Sequence, residues 1–305
     1  MHASVLRRPD PLKPGDTVAL MALASKIEYE KVIPQAIAVL EQWGLKVVEG
    51  PSLKSKWHTF AGTDEIRRAD YQRFLDDPSI KAIISARGGY GSSRILDSID
   101  YRAFQQHPKW VAGFSDITAV LCDIFRLGIE SLHATMPKLF FQDETGYSLE
   151  SLRKLLFGEE VIYQTVPQSD NRYGKAEGTL VGGNLCLLVH MTGSPADVDT
   201  KGKILFLEET EEFHYSVDRY LVQLRRAGKL EGLAGLIVGS FSELRDKPGD
   251  FGMSIREIIQ YWVKDYSFPV AYGFPVGHEA GNLALPVGRN ARLTVAPDEV
   301  RLEFA

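Results

Sequence analysis

The sequence predicts an α/β protein in two domains. Three observations lead there. Short apolar runs alternate with helical patterns through the first half, the alternation lapses into polar, turn-forming residues around 157–178, and short strand-like runs resume beyond it. At 305 residues the chain is about two domains long, at roughly 150 residues each. The expected division is an N-terminal α/β domain with a parallel sheet over 1–160, a connector over 161–178, and a smaller mixed α+β domain over 179–305.

The elements follow in order. "TVALMA" (17–22), "KVVE" (46–49), "KAIISA" (81–86), "WVAG" (110–113) and "ESLHAT" (130–135) read as strands. Between the first three lie helices over 30–44, closed by Gly44, and over 63–77, with Thr63 as cap and an acidic first turn. Strands alternating with helices make a parallel sheet covered on both faces. The second half carries "TLVGGNLCLLVHMTG" (179–193), strands at 203–209 and 233–241, and helices over 215–227 and near 253–265. It ends in the strand-like pieces "PVAYGFPVG", "ARLTVA" and "EVRLEFA".

Composition narrows the function. A hydrophobic fraction of 44% is enough for sizeable cores, and a net charge of -5 with no basic block argues against nucleic-acid or anionic-membrane partners. No run approaches the roughly 18 apolar residues of a membrane span. The opening "MHASVLRRPDPLKPGD" lacks the apolar stretch of a secretory signal. Cys122 and Cys186 lie in apolar helical patterns and read as core thiols, so a reducing compartment, the cytoplasm, is expected. With no H-E-x-x-H, no clustered histidines and no cysteine pairs, neither a metal nor another cofactor is expected.

Three segments carry chemistry. In "WVAGFSDITAVL" (110–121) a buried strand, one glycine and Ser115 precede a helical pattern, so the hydroxyl sits where a helix N-terminus points its unpaired N–H groups. A helix cap is the plain alternative. "RGGYGSSR" (87–94) follows a strand but reads G-x-G-x-x-R, one position short of a dinucleotide fingerprint. Its glycines also suit a loop whose backbone N–H groups hold an oxyanion. "KILFLEET" ends a strand in Glu208 and Glu209, of which strand alternation lets one face a partner. His278 stands in the Gly- and Pro-rich loop of "YGFPVGHEAGN", where catalytic residues concentrate. His190 reads as a core residue, and His133 ends a strand within reach of a site. Ser115, Glu208 and His278 together have the types of an activated-serine triad. The G-x-S-x-G elbow of the α/β-hydrolases is incomplete here, because Ile117 stands at the second glycine.

"ARGGYGSSRIL", "WVAGFSDITAV", "GTLVGGNLCLL", "ILFLEET" and "YGFPVGH", in this order, resemble the signature segments of the LD-carboxypeptidase family of serine peptidases. The resemblance runs from "LKPGDTVAL" to about Gly288. It implies Ser115 as nucleophile, Glu208 as triad acid and His278 as base. It further implies the backbone N–H groups of Gly89 and Asp116 as oxyanion donors, and Asn184 lining the substrate site. Two departures stand out: "MALASK" replaces a Pro-Ser pair, and "LHATM" replaces His-Gly-Pro-Met. The family suggests a homodimer and two competing substrates, murein tetrapeptide and a microcin C-type peptide–nucleotide. The second needs an added aromatic loop near the domain boundary, whereas Trp43, Trp57, Trp110 and Trp262 all lie elsewhere, so murein tetrapeptide is favoured. A non-catalytic two-lobed binding protein and an ordinary esterase are the rival readings.

Overall fold

A computed structural model describes residues 6–305; His2 and the first residues of the segment read as carrying no signal lie outside them. The chain forms two compact units. One holds the residues up to Glu160 together with Leu283–Pro286, the other Val161–Asn282 and Val287–Ala305.

The first unit is a parallel α/β layer. Strands β1 (Thr17–Met21), β2 (Lys46–Glu49), β3 (Ile80–Ser85), β4 (Trp110–Gly113) and β5 (Ser131–His133) pair parallel in the order β5-β4-β3-β1-β2. Residues 18–21, 82–85 and 110–113 are buried without interruption, which is why they read as continuous apolar runs. Helices α1 (Tyr29–Gln42), α2 (Asp64–Asp76), α3 (Ser93–Leu96), α4 (Arg102–Gln106), α5 (Thr118–Arg126) and α6 (Tyr147–Leu156) make the connections and the C-terminal end of the unit. Thr63 caps α2 by accepting from the Ile66 N–H at 3.4 Å. Because β1 lies between β3 and β2, the strand order reverses beside it. The loops after β1 and β3 leave the carboxyl edge of the sheet at that reversal, the place where open α/β sheets bind ligands.

The second unit has a seven-stranded sheet, numbered here β6 (Ile162–Thr165), β7 (Gly174–Asn184), β8 (Ile204–Thr210), β9 (Gly235–Ser242), β10 (Val270–Tyr272), β12 (Asn290–Val295) and β13 (Val300–Phe304). Its order is β10-β9-β8-β7-β12-β13-β6, parallel from β10 to β7 and antiparallel from β7 to β6. Strand β11 (Leu285–Val287) belongs instead to the edge of the first sheet, beside β5. Helices α7 (Leu185–Met191), α8 (His214–Arg226), α9 (Pro248–Phe251) and α10 (Ile255–Val263) complete the unit.

Two sequence expectations change. The stretch 161–178, read as a connector, contains β6 and the start of β7; β6 looks polar because it is an edge strand with Ile162 exposed and only Tyr163 buried. His190 is exposed rather than a core residue, and Cys186 is half-buried, because α7 turns that side of its short surface outward. No helix among the described residues is long and apolar enough to cross a membrane.

Candidate active site

Strand β4 ends at Gly113, and Ser115 follows in a left-handed backbone conformation, φ +62°. For a residue with a Cβ that conformation costs roughly 1–2 kcal/mol. Ser115 opens the turn 115–117 that leads into α5, whose own cap position is Ile117, so the hydroxyl does not cap the helix.

The glycine loop after β3 closes against this turn. A Cβ on Gly88 would stand 3.0 Å from Ser115 Cβ, 3.2 Å from Ser115 Oγ and 3.3 Å from the Asp116 nitrogen. Gly89 has φ +105°, and a Cβ there would overlap Ser25 Oγ. Among the described residues neither the Gly89 N–H nor the Asp116 N–H has an acceptor in the chain. Amides without acceptors are the groups a developing oxyanion needs, and the backbone of Ser115 is strained.

The loop is tied down by groups that the motifs did not mark. Asp116, itself buried, accepts from the Ser92 N–H at 2.8 Å and the Gly91 N–H at 3.3 Å, while Ser92 Oγ donates to the Asp116 carbonyl at 2.7 Å. Burial pushes its carboxyl up, with these donors pulling it back. Ser25, in the departing "MALASK" loop, accepts from the Tyr90 N–H at 3.2 Å, and its own N–H donates to the Gly88 carbonyl at 3.2 Å. Arg67 is buried and bridges the Leu23 and Gly91 carbonyls at 2.7 Å each. Arg87 donates to the Lys26 carbonyl at 2.9 Å, and burial lowers its pKa with no carboxylate opposing the shift. Its Nε is buried without a hydrogen-bond partner.

In the second unit the carboxyl ends of the parallel strands gather the remaining residues. Glu208, fully buried near the end of β8, lies 2.7 Å from His278 Nδ1 through Oε2. The His278 N–H donates to Ser240 Oγ at 3.1 Å, at the end of β9. Gly277 (φ +128°) lets the loop pass: a Cβ would overlap Ser240 Oγ and stand 3.0 Å from Glu208 Cβ. Burial alone would lower the His278 pKa; the charge and hydrogen bond of Glu208, with the charges of Glu209 and Glu243, outweigh it and hold the imidazole above its ordinary value.

Glu209 points the other way. Its Oε1 accepts from Asn184 Nδ2 at 2.7 Å and the Thr210 N–H at 2.9 Å, and its Oε2 from the Cys186 N–H at 2.8 Å. Burial and the neighbouring Glu208 push its carboxyl up to about 7 against these donors. Asn184 caps α7 by accepting from the Leu187 N–H at 3.2 Å, so both ends of its amide are engaged. The structure thus brings Glu208 to His278 and Asn184 to Glu209 in one unit, and in the other sets Gly88 against Ser115 and the Asp116 nitrogen, with Gly89 next in the loop against Ser25. No group of side chains with metal-ligand character occurs among the described residues.

Two family models match in tandem: the LD-carboxypeptidase N-terminal domain over residues 18–134 and the C-terminal domain over 177–293. The chain belongs to the LD-carboxypeptidase family. It is a serine-type carboxypeptidase, a hydrolase of peptide bonds. It is 34% identical to the probable murein peptide carboxypeptidase of Bacillus subtilis (97% of this chain, 94% of the relative). It is 31% identical to the murein tetrapeptide carboxypeptidase of Pseudomonas aeruginosa (90% and 92%). The crystal structure of muramoyltetrapeptide carboxypeptidase from Oxalobacter formigenes superposes with a TM-score of 0.86 at 29% identity, covering 95% of this LD-carboxypeptidase and 98% of that chain. The microcin C7 self-immunity protein shares the fold, with a TM-score of 0.84 at 24% identity and coverage of 98% of both chains.

Proposed function

We propose that this LD-carboxypeptidase removes the terminal D-alanine of murein tetrapeptide. Ser115 Oγ attacks the scissile carbonyl and His278 takes its proton. Glu208 holds Nδ1 of that imidazole, fixing its tautomer and stabilising the imidazolium. The N–H groups of Gly89 and Asp116 receive the tetrahedral oxyanion, and the N-terminus of α5 adds its dipole. His278 then returns the proton to the leaving D-alanine amine, and water resolves the acyl-enzyme. Asn184 lines the substrate site, oriented by Glu209. A carboxypeptidase must also neutralise the substrate's terminal carboxylate. Arg87, a guanidinium without a carboxylate partner next to the oxyanion loop, is suited to that task.

The observation that carries this reading is Ser115 held at φ +62° beside two unpaired amides. A helix cap needs neither feature, and a binding lobe gains nothing from the strain. The test is incubation with murein tetrapeptide and mass spectrometry for the loss of one alanine, with a microcin C-type peptide–nucleotide run in parallel. Loss of alanine together with labelling of Ser115 by a fluorophosphonate supports the reading; cleavage of the peptide–nucleotide alone replaces the substrate. The reading includes a cytoplasmic homodimer, and a monomer on sizing would remove the dimer.

A further inference from the structure

We propose, on the reading of Ser115 as the nucleophile, that Arg67 and Asp116 clamp one peptide group from its two ends and so position the turn from which Ser115 attacks. The peptide joins Gly91 to Ser92 in the loop after β3. Its carbonyl, on Gly91, accepts from Arg67 Nη1 at 2.7 Å. Its N–H, on Ser92, donates to Asp116 Oδ2 at 2.8 Å. In a trans peptide the C=O and N–H point in opposite directions, so the guanidinium and the carboxylate face each other through one aligned dipole. Charge at both ends polarises both hydrogen bonds, and each strengthens the other.

Three loops of the first unit meet at this peptide. Arg67 Nη1 also donates to the Leu23 carbonyl, after β1, at 2.7 Å. Asp116, after β4, accepts a second bond from the Gly91 N–H at 3.3 Å, and Ser92 Oγ donates to the Asp116 carbonyl at 2.7 Å. The residue held in this way adjoins Ser115, and its own N–H is one of the two proposed oxyanion donors. The guanidinium reaches the carbonyl because residue 91 is glycine. At its φ of +129° a Cβ would stand 2.8 Å from Arg67 Nη1 and 2.9 Å from the Phe60 ring.

A buried charge is a costly way to hold loops together unless opposite charge offsets it. The Arg67 side chain is 0% exposed, and its Nε is buried without a hydrogen-bond partner. Its ion-pair partner Asp64 is partly exposed and shared with Arg94. Asp116, buried on the far side of the peptide, supplies the second opposing charge. Burial pulls the Arg67 pKa down, and Asp64 and Asp116 work against it. Burial pushes the Asp116 carboxyl up, and the N–H donors with the charge of Arg67 work against it. Each ion stabilises the other, so losing either releases the same turn. The two side chains therefore act on catalysis as one unit.

A double-mutant cycle tests this, read as labelling of Ser115 by a fluorophosphonate in the full chain. The amplitude of labelling counts folded sites, and its rate reports their reactivity. Arg67→Met and Asp116→Asn should each slow the rate by about tenfold, and the double variant by about the same tenfold. A double-variant loss equal to the product of the single losses overturns the clamp, as does a wild-type rate in Arg67→Met. Guanidinium chloride at a low, non-denaturing concentration should restore the rate of Arg67→Ala, whereas urea, its neutral analogue, should not. That rescue should vanish when Asp116→Asn is added. Equal rescue by urea, or rescue that persists with Asp116→Asn, overturns the clamp. If Arg67→Met and Arg67→Ala do not fold, Arg67→Lys, which keeps the charge and gives up the fork, enters the cycle under the same criterion. A wild type that is not labelled at Ser115 overturns the nucleophile and the clamp together. Wild-type labelling with independent losses overturns the clamp alone. Murein tetrapeptide plays no part in these readouts, so a different substrate leaves the clamp standing.

Discussion

A serine held in the left-handed region gives up stability for the position of its hydroxyl. Ser115→Gly should therefore unfold at higher denaturant, gaining about 1 kcal/mol, while losing turnover by roughly 10⁶. Ser115→Ala should lose the same turnover without the gain, and a Gly variant no more stable than the Ala variant would refute stored strain. Glu208 and Glu209 separate just as clearly. Glu208→Gln should cut kcat steeply, since an amide against Nδ1 can hold the wrong tautomer. Glu209→Gln should spare kcat by comparison and raise KM through Asn184; equal kcat losses would undo the assignment. The acid limb of kcat/KM should lie above pH 6.5, because the base must be neutral and its folded pKa is raised. Glu208→Gln should move that limb down, and a wild-type limb at or below pH 6.5 would contradict the pairing. Glu209 also sets a stability slope. An acid whose folded pKa stands at about 7, above its ordinary 4.5, binds its proton more tightly when folded. Stability is then fully present below 4.5 and declines as pH rises to about 7, by on the order of 3 kcal/mol. Urea unfolding of wild type and Glu209→Gln across that window should differ by this slope.

At the scale of elements, the loop 86–92 is organised by its backbone, so substitutions act by moving amides. Gly89→Val would force a Cβ onto Ser25 Oγ at φ +105°, and should lower kcat by about 10²–10³, some 3 kcal/mol of transition-state stabilisation, with a smaller change in KM. Ser25→Gly in the same chain removes both the Oγ and the Cβ that the valine meets and should recover part of the loss, the remainder being the strain at φ +105°. NAD or ATP affinity in the wild type that the valine removes, with cleavage untouched, would make this a nucleotide loop instead. The same loop shows what a sequence discloses. The strands of the first sheet were legible because burial on both faces leaves uninterrupted apolar runs, and Ser115, Glu208 and His278 stood out because strand ends and glycines mark them. Strand β7 was half hidden, because "GKAEGTLVGGN" changes from an antiparallel to a parallel partner along its length and carries little apolar signal. The Ser25, Asp116 and Ser240 contacts could not be read, since each serves a backbone group far along the chain. His214 follows no motif; only folding sets Asp246 against its Nδ1.

For the whole molecule, the chain passes between its two units three times, after Glu160, after Asn282 and after Pro286. The second and third passages exist to lend four residues, Leu283–Pro286, to the first unit. That loan covers the free edge of β5 with β11, and the Ala284 N–H donates to Ser151 Oγ on α6 at 2.9 Å. Cutting the chain at the apparent boundary removes β11 and leaves the β5 edge of the sheet unpaired, the feature that drives strand addition between molecules. A fragment of residues 1–160 should accordingly self-associate on sizing and unfold over a broad, early transition. The same fragment extended through a flexible linker by residues 283–287 should run as a single species and unfold sharply at higher urea, because the strand restores both the edge and the Ser151 bond. A bare 1–160 fragment that matches the extended one in both measurements would mean that the returning strand is decoration. The boundary near residue 160 would then divide two independent folding units.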